Sequence, residues 1–493
     1  MSQQEPKLIG SFINGKWIRS DSMRLPVVNP ATEETVAYVI EASERETGQA
    51  IENAHATFSA GIWSGKTARE KQEVFTRICE LTQEKMGELA RLECTNAGLP
   101  YGYLKNRQLP RIIRNFRFFS DWLSQNTERA GFQDEEYLRF VVREPIGVVA
   151  LISPWNAPLA LASTKIAAAL AFGNSCVVKT AEQTPLAVAR FMEILIEAGV
   201  PAGVVNMVNG RGQITGDALS THPLVQGISF TGGTATGKHI AARATRTLKK
   251  VDLELGGKSA NIVMDDADME WALAGSLSAI YTNNGQQCFA GSRILVQRKI
   301  ADQFIARFVE RSKSYQIGDP MHETTQLGPL ANAGHFANVN GMIQRAIADG
   351  AQLLCGGGRP EITQDKGFYL APTALLVQNN SSEICQEEVF GPVATIQIFD
   401  TYDEALAIAN DSKYGLVCYL WTRDLNRMTK ASLKIKAGVI LVNTTMILDS
   451  RFPFSGLKQS GLGREGIEGF KYFYTEEKTI TVAVREPESM NTP

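Results

Sequence analysis

Two residues carry the chemistry this sequence offers: a thiol at Cys288 and a carboxylic acid 34 residues upstream at Glu254. The thiol lies in Asn283-Asn284-Gly285-Gln286-Gln287-Cys288-Phe289-Ala290-Gly291-Ser292, with a glycine close by on either side. Small neighbours let a carbonyl carbon approach the sulfur, and a thiolate is both a strong nucleophile and a fair leaving group. Acyl transfer needs both properties. A cysteine alone is weak evidence, because a buried thiol behaves mainly as a small hydrophobe. The acid changes its meaning. Glu254 stands in Leu253-Glu254-Leu255-Gly256-Gly257-Lys258, between two leucines at the end of an apolar run. Burial there raises a carboxyl pKa toward the range useful to a base; capping, or pairing with a lysine, is the plain structural alternative.

The elements that position these groups are legible as a repeating pattern. Apolar runs at Gly147 to Ile152, Ser175 to Val178, Val204 to Val208, Val225 to Phe230 and Val251 to Leu255 alternate with helical stretches at Leu159 to Phe172, Pro185 to Ala198, Ile214 to Ser220 and Thr236 to Lys249. Strands so joined predict a parallel sheet covered on both faces. Ligands of such sheets bind beyond the carboxyl ends of the strands. Asn156 follows the first strand, Lys179 and Glu182 the second, Gly210 and Gly212 the third, Thr231 to Gly233 the fourth, and Glu254 ends the fifth. A second alternating region runs from Asn261 to Asn443, with runs at Ile294 to Val296, Val393 to Ile398, Leu416 to Trp421 and Val439 to Val442. Before the first sheet, an Asn14-Gly15 hairpin precedes helical periodicity over Arg45 to Gly61, Thr67 to Ala97 and Gly102 to Gln125, which reads as packing without chemistry.

Bulk properties narrow the class. A chain of 493 residues exceeds one hydrophobic core, so two or three domains are expected. A net charge of −2 gives no reason for nucleic acid or an anionic membrane as partner. No apolar stretch approaches a membrane span, and the first residues lack an apolar signal core, so a cytoplasmic enzyme is expected. The seven cysteines are scattered without CxxC pairs, which argues for free thiols and against a disulfide scaffold or a metal site. None of His55, His222, His239, His322 and His335 is near Cys288 in sequence, and a distant Cys-His dyad remains the alternative to Glu254.

The segments Leu253 to Lys258 and Gly285 to Cys288 resemble the aldehyde dehydrogenase superfamily, and so do five further motifs in the family's order. These are Pro154-Trp155-Asn156, Lys179 to Pro185, Phe230-Thr231-Gly232, Glu387 to Pro392, and Pro453 to Gly456 with Ser460 to Glu465. The resemblance implies an α/β fold with a Rossmann-like parallel-sheet cofactor domain (1–124 and 146–256), a second α/β catalytic domain (257–456), and a β-ribbon oligomerisation element with a tail (125–145 and 474–493). A homodimer or homotetramer follows from the ribbon.

The activity so implied is oxidation of an aldehyde to the acid. An aldehyde has no tetrahedral hydroxyl from which hydride can leave, so Cys288 first adds to the carbonyl. The Cys288 backbone N–H and the Asn156 side chain hold the oxyanion. The thiohemiacetal becomes a thioester, and water activated by Glu254 releases the acid. Phe230 to Gly237 makes a glycine turn suited to a pyrophosphate, although it is not GxGxxG and has Gly233 where the family usually has Ser. Lys179 and Glu182 match the pair on the adenosine ribose, and a carboxylate there favours NAD over NADP. Glu388 and Phe390 match contacts to the nicotinamide ribose, and Lys165 and Glu465 match a proton or water relay.

Substrate choice rests on fewer residues. Ala157 and Thr164 stand where many relatives have aromatics, which leaves room for a bulky or aromatic aldehyde, with Phe289, Leu448 and Phe454 as further walls. Arg111 and Arg451 offer a competing idea. They resemble positions that meet a substrate carboxylate in relatives acting on muconic semialdehydes, with surface pairing as the plain alternative. Two other classes remain: a CoA-acylating relative, against which Glu254 speaks, and a binding protein that has kept only the fold.

Overall fold

The computed structural model describes residues 6–125, 130–132, 136–363, 366–445 and 447–484. The first alternating region forms the middle of an eight-stranded sheet. Its order is Gly461–Leu462, Lys250–Glu254, Val225–Thr231, Val148–Ile152, Ser175–Lys179, Val205–Val208, Ser11–Ile13 and Lys16–Ile18. The five strands from Lys250–Glu254 to Val205–Val208 are parallel, and the three outer ones are antiparallel to their neighbours. The hairpin turns at Asn14 and Gly15, whose φ values of 52° and 73° suit those residue types. Both faces are buried, because side chains alternate across a strand. Val149 and Leu151 enter one core beside the helices Pro158–Ala171 and Leu186–Glu197, while Val148, Ala150 and Ile152 enter the other beside Glu44–Ser59.

The second region forms a seven-stranded sheet in the order Gln352–Cys355, Thr373–Leu376, Val393–Phe399, Arg293–Gln297, Ala260–Val263, Val417–Trp421 and Val439–Val442. It is parallel apart from its first strand. A third sheet pairs Thr475–Ala483 with Tyr137–Pro145 and that strand with Ala130–Phe132, all antiparallel. These strands lie in the segments for which the family resemblance implies a ribbon; residues 126–129 and 133–135 and the tail 485–493 lie outside the described residues. Among the described residues no helix is long and apolar enough to cross a membrane.

Three differences from the sequence reading matter. Residues 7–40 contribute a separate sheet of Lys7–Ile9, Thr35–Ile40 and Arg24–Val28, whose strands are too short to stand out by periodicity. The helical stretch from Thr67 to Ala97 is two helices, Ala68–Glu84 and Met86–Ala97, broken at Lys85. The stretch from Gly102 to Gln125 is interrupted by a π-turn at Leu104–Gln108 before the helix Pro110–Gln125. A π-turn inserts one residue and re-aims the side chains beyond it. Here it brings Gln108 and Arg111 to the site, so this stretch does more than pack.

Candidate active site

The thiol is delivered by a helix and a turn of unusual hand. Asp268 caps the helix Met269–Tyr281 by accepting from the N–H groups of Glu270 and Trp271. The chain then makes three consecutive left-handed residues, Asn283, Asn284 and Gly285, with φ of 59°, 57° and 72°. Asparagine tolerates that region better than most residues, and here its amides also fix it. Asn284 Nδ2 donates to the carbonyls of Gly98 and Pro329, both at 2.9 Å, and its Oδ1 accepts from the Gly328 N–H at 2.8 Å. Asn283 Nδ2 donates to the carbonyls of Asn156 and Gln286, both at 2.9 Å, while its Oδ1 accepts from Gln108 Nε2 at 2.9 Å. Gly285 can be nothing larger: a Cβ there would lie 2.2 Å from the Gly391 carbonyl carbon.

Asn156 meets this loop from the first parallel strand. Its Nδ2 donates to the Gln286 carbonyl at 2.8 Å, which leaves the second N–H of the amide free for an incoming oxygen. Six of the seven cysteines are buried; Cys288 alone keeps part of its surface open. Burial and the nearby carboxylates of Glu388 and Glu254 push its thiol well above the ordinary range.

Glu254 ends its strand buried, with the Ser455 hydroxyl as its nearest donor and no hydrogen bond of full geometry to either carboxylate oxygen. Burial, then the negative charges of Glu465 and Asp252, raise it well above 4.5. Glu388 is the contrasting acid: it accepts from the Gly257 N–H at 2.9 Å, and burial raises it to about 7. Gly256 and Gly257 make this proximity sterically feasible. A Cβ on the first would sit 2.3 Å from Glu388 Oε2, and on the second 2.4 Å from the Cys288 carbonyl oxygen. Behind Glu254, Lys165 Nζ donates to Ser229 Oγ at 2.8 Å and pairs with Glu465 Oε1 at 3.2 Å.

These groups share one cavity of about 640 Å3. Cys288, Glu254, Asn156, Glu388, Phe390 and Glu465 all line it, as do Thr231, Gly232 and Gly233. Ala157, Thr164, Arg111, Phe289, Leu448 and Phe454 also line it, with Phe289 and Phe454 edge to face at 6.4 Å. Lys165, Lys179, Glu182 and Arg451 do not line it. Lys179 and Glu182 sit together at the end of the neighbouring strand, Nζ to Oε2 3.8 Å. Arg451 is turned outward, 73% exposed in its side chain and bidentate on Asp449, so the structure does not bring it to the cavity with Arg111.

The residues present fit a dinucleotide. The helix Thr234–Ala244 begins at Gly233 with no side-chain cap, so its first N–H groups are left for an anion, and Gly233 has open space where a side chain would be. Thr231 Oγ1 is buried beside it without a partner. Phe390 holds a left-handed φ of 58°, its carbonyl fixed by His335 Nε2 at 2.7 Å and its ring edge-on to Trp155 at 5.2 Å.

Residues 17–480 match the sequence model of the Aldehyde dehydrogenase family. This chain belongs to that family. It is 40% identical over 466 residues to 5-carboxymethyl-2-hydroxymuconate semialdehyde dehydrogenase of Escherichia coli, spanning 93% of this chain and 98% of that one. It is 38% identical to retinal dehydrogenase 2 of Homo sapiens, spanning 98% and 94%. Among solved structures, the NAD+ complex of aldehyde dehydrogenase from Bacillus cereus superposes with a TM-score of 0.94 at 35% identity, covering 97% of each chain. This aldehyde dehydrogenase is therefore an oxidoreductase acting on the aldehyde group with a nicotinamide dinucleotide.

Three residues of the dehydrogenase's site escaped the sequence reading. Gln108 gave no signal, because only the π-turn brings it to Asn283. Asn283 lay within the quoted thiol segment, but its role depends on contacts far away in sequence. Asp252 had a signal: Asp252-Leu253-Glu254-Leu255 alternates acid and leucine, which puts both acids on one face of a buried strand.

Proposed function

We propose that the enzyme oxidises a bulky aldehyde bearing a carboxylate, such as a semialdehyde, to the corresponding acid. Cys288 Sγ adds to the carbonyl carbon, its proton passing to Glu254 as the C–S bond forms. The resulting oxyanion is held by the free N–H of Asn156 and by the Cys288 backbone N–H. NAD, when bound, supplies the acceptor for the hydride that leaves the thiohemiacetal carbon to give a thioester. Glu254 takes a proton from water, the water oxygen bonds to the acyl carbon, and the C–S bond breaks to release the acid and the thiolate. Lys165 and Glu465 stand behind Glu254 to pass its proton on. On the cofactor side, Thr231, Gly232 and Gly233 would take the pyrophosphate, Lys179 and Glu182 the adenosine ribose, and Glu388 with Phe390 the nicotinamide ribose.

Arg111 is the single observation that carries the substrate reading. It lines the cavity, burial lowers its basicity against the opposing charge of Glu465, and among the described residues no carboxylate lies within ion-pair distance of it. A half-buried cation with no ion-pair partner is costly, and a substrate carboxylate would complete it. The substrate named for the Escherichia coli relative is a semialdehyde with a carboxymethyl group. The apolar walls at Phe118, Phe289 and Phe454 favour a second reading, a neutral aromatic aldehyde. The test is NADH formation from a carboxylated semialdehyde and from benzaldehyde in the wild type and Arg111→Gln, with and without CoA. We expect kcat/KM for the carboxylated substrate to fall roughly 10²-fold more than for benzaldehyde. Equal losses would end the carboxylate reading, and a clear preference for acetaldehyde would end both.

We infer further that the protein is a cytoplasmic homo-oligomer. Its seven cysteines are free thiols, and the nine-residue strand Thr475–Ala483 forms an open edge of the ribbon sheet. Sedimentation of the intact protein as a monomer would remove the second half of that inference.

A further inference from the structure

We propose that Asp252 is a positioning residue for Glu254: with Ser229 it anchors Lys165 beneath the cavity, and its charge sets the pH at which Glu254 becomes a base. The inference rests on Glu254 being that base. A parallel strand covered on both faces is normally apolar throughout. Lys250–Glu254 instead places Asp252 and Glu254 two residues apart on the same face, and across the ladder Ser229 stands opposite Asp252 and Thr231 opposite Glu254. Two polar rungs result, the upper one in the cavity and the lower one below it. The lower rung is wired to the upper. Ser229 Oγ donates to Asp252 Oδ2 at 3.3 Å and accepts from Lys165 Nζ at 2.8 Å, and Lys165 reaches Glu465, which lines the cavity.

The fit around Asp252 is close. Asp252 is 1% exposed and Lys165 fully buried, and a Cβ on Gly463, whose φ is +92°, would lie 2.5 Å from Asp252 Oδ1. The charged and titratable groups around Asp252 are Lys165 from the helix Pro158–Ala171, Arg464 and Glu465 from the segment after Gly461–Leu462, Tyr474 from the last helix, and Glu254 on its own strand. Burial opposes a second negative charge on the neighbouring Asp252 and Glu254, so the pair keeps a proton. Burial pushes Asp252 up to about 7, with Lys165 opposing. While Asp252 is charged, Glu254 holds its proton to higher pH, so neutralising Asp252 frees the base at lower pH.

The test is the pH dependence of steady-state NADH formation in the wild type, Asp252→Asn and Ser229→Ala, with Glu254→Gln as reference. Asp252→Asn should move the acidic limb down by roughly half a pH unit or more. Ser229→Ala should move it the same way by less, because losing the hydroxyl donor favours neutral Asp252. A merely structural role would lower the rate at every pH and leave the limb in place, which would overturn the proposal. Should Asp252→Asn fail to fold, Ser229→Ala decides it. An unmoved limb beside a stalled Glu254→Gln enzyme defeats only this inference, whereas normal turnover by Glu254→Gln defeats the base assignment beneath it.

Discussion

The loop that presents Cys288 and the strand that presents Glu254 reach one cavity from opposite structural regimes. In the loop, the amides of Asn283, Asn284 and Gln287 are spent on hydrogen bonds, several to segments more than 40 residues away. Along the strand, Asp252 leaves one oxygen and Glu254 both oxygens without a hydrogen bond of full geometry. Satisfied amides fix geometry, which an oxyanion site needs because its donors must already point where charge develops. Unsatisfied buried acids are unstable as anions, which a base needs because its proton affinity must rise. Position is therefore stabilised in the loop, and reactivity costs stability in the strand.

That contrast can be broken at three points. Cys288→Ala should lower NADH formation by about 10⁴-fold or more, the scale of losing an activated nucleophile. Retained turnover in a stopped-flow assay would mean that the loop is built around something else. Glu254→Gln should lower steady-state turnover by about 10² to 10⁴-fold. It should also raise or preserve Tm, because the amide removes a buried acid whose charge the interior opposes. With Glu254 as the proposed base, wild-type turnover should rise with pH along a limb well above 4.5, since burial with Glu465 and Asp252 opposes loss of its proton. A fall in Tm would contradict the idea that this acid is held at a cost. Asn284→Ala has the smallest effect on chemistry and the opposite sign in stability: about 3 kcal/mol lost in chemical denaturation, from three buried hydrogen bonds and a left-handed backbone that alanine disfavours. An unchanged denaturation midpoint would show that the loop needs no such fixing.

How much of this was legible beforehand divides along the same line. The parallel sheet, its five carboxyl-end loops and the thiol and acid themselves are written in local pattern, because buried strands and their terminal polar residues leave marks a few residues long. The placement of Asn156 against the thiol loop was open to inference only through the family resemblance, since the contact spans 130 residues. Gln108 and the outward turn of Arg451 were not legible. One depends on an inserted turn within a helical pattern, and the other on a two-residue ion pair with Asp449 that no periodicity reports.

The π-turn at Leu104–Gln108 has a consequence for how such an enzyme tolerates a deletion. Deleting one residue there would restore regular α-geometry and swing the helix Pro110–Gln125 by about 100° about its axis. Arg111 would then leave the cavity wall, Gln108 would lose its bond to Asn283 of the thiol loop, and Ile112, Phe116 and Phe119 would turn out of the core. A single-codon loss far from the sulfur would thus reach the substrate wall, the thiol loop and the core together, which ties that inserted residue to all three.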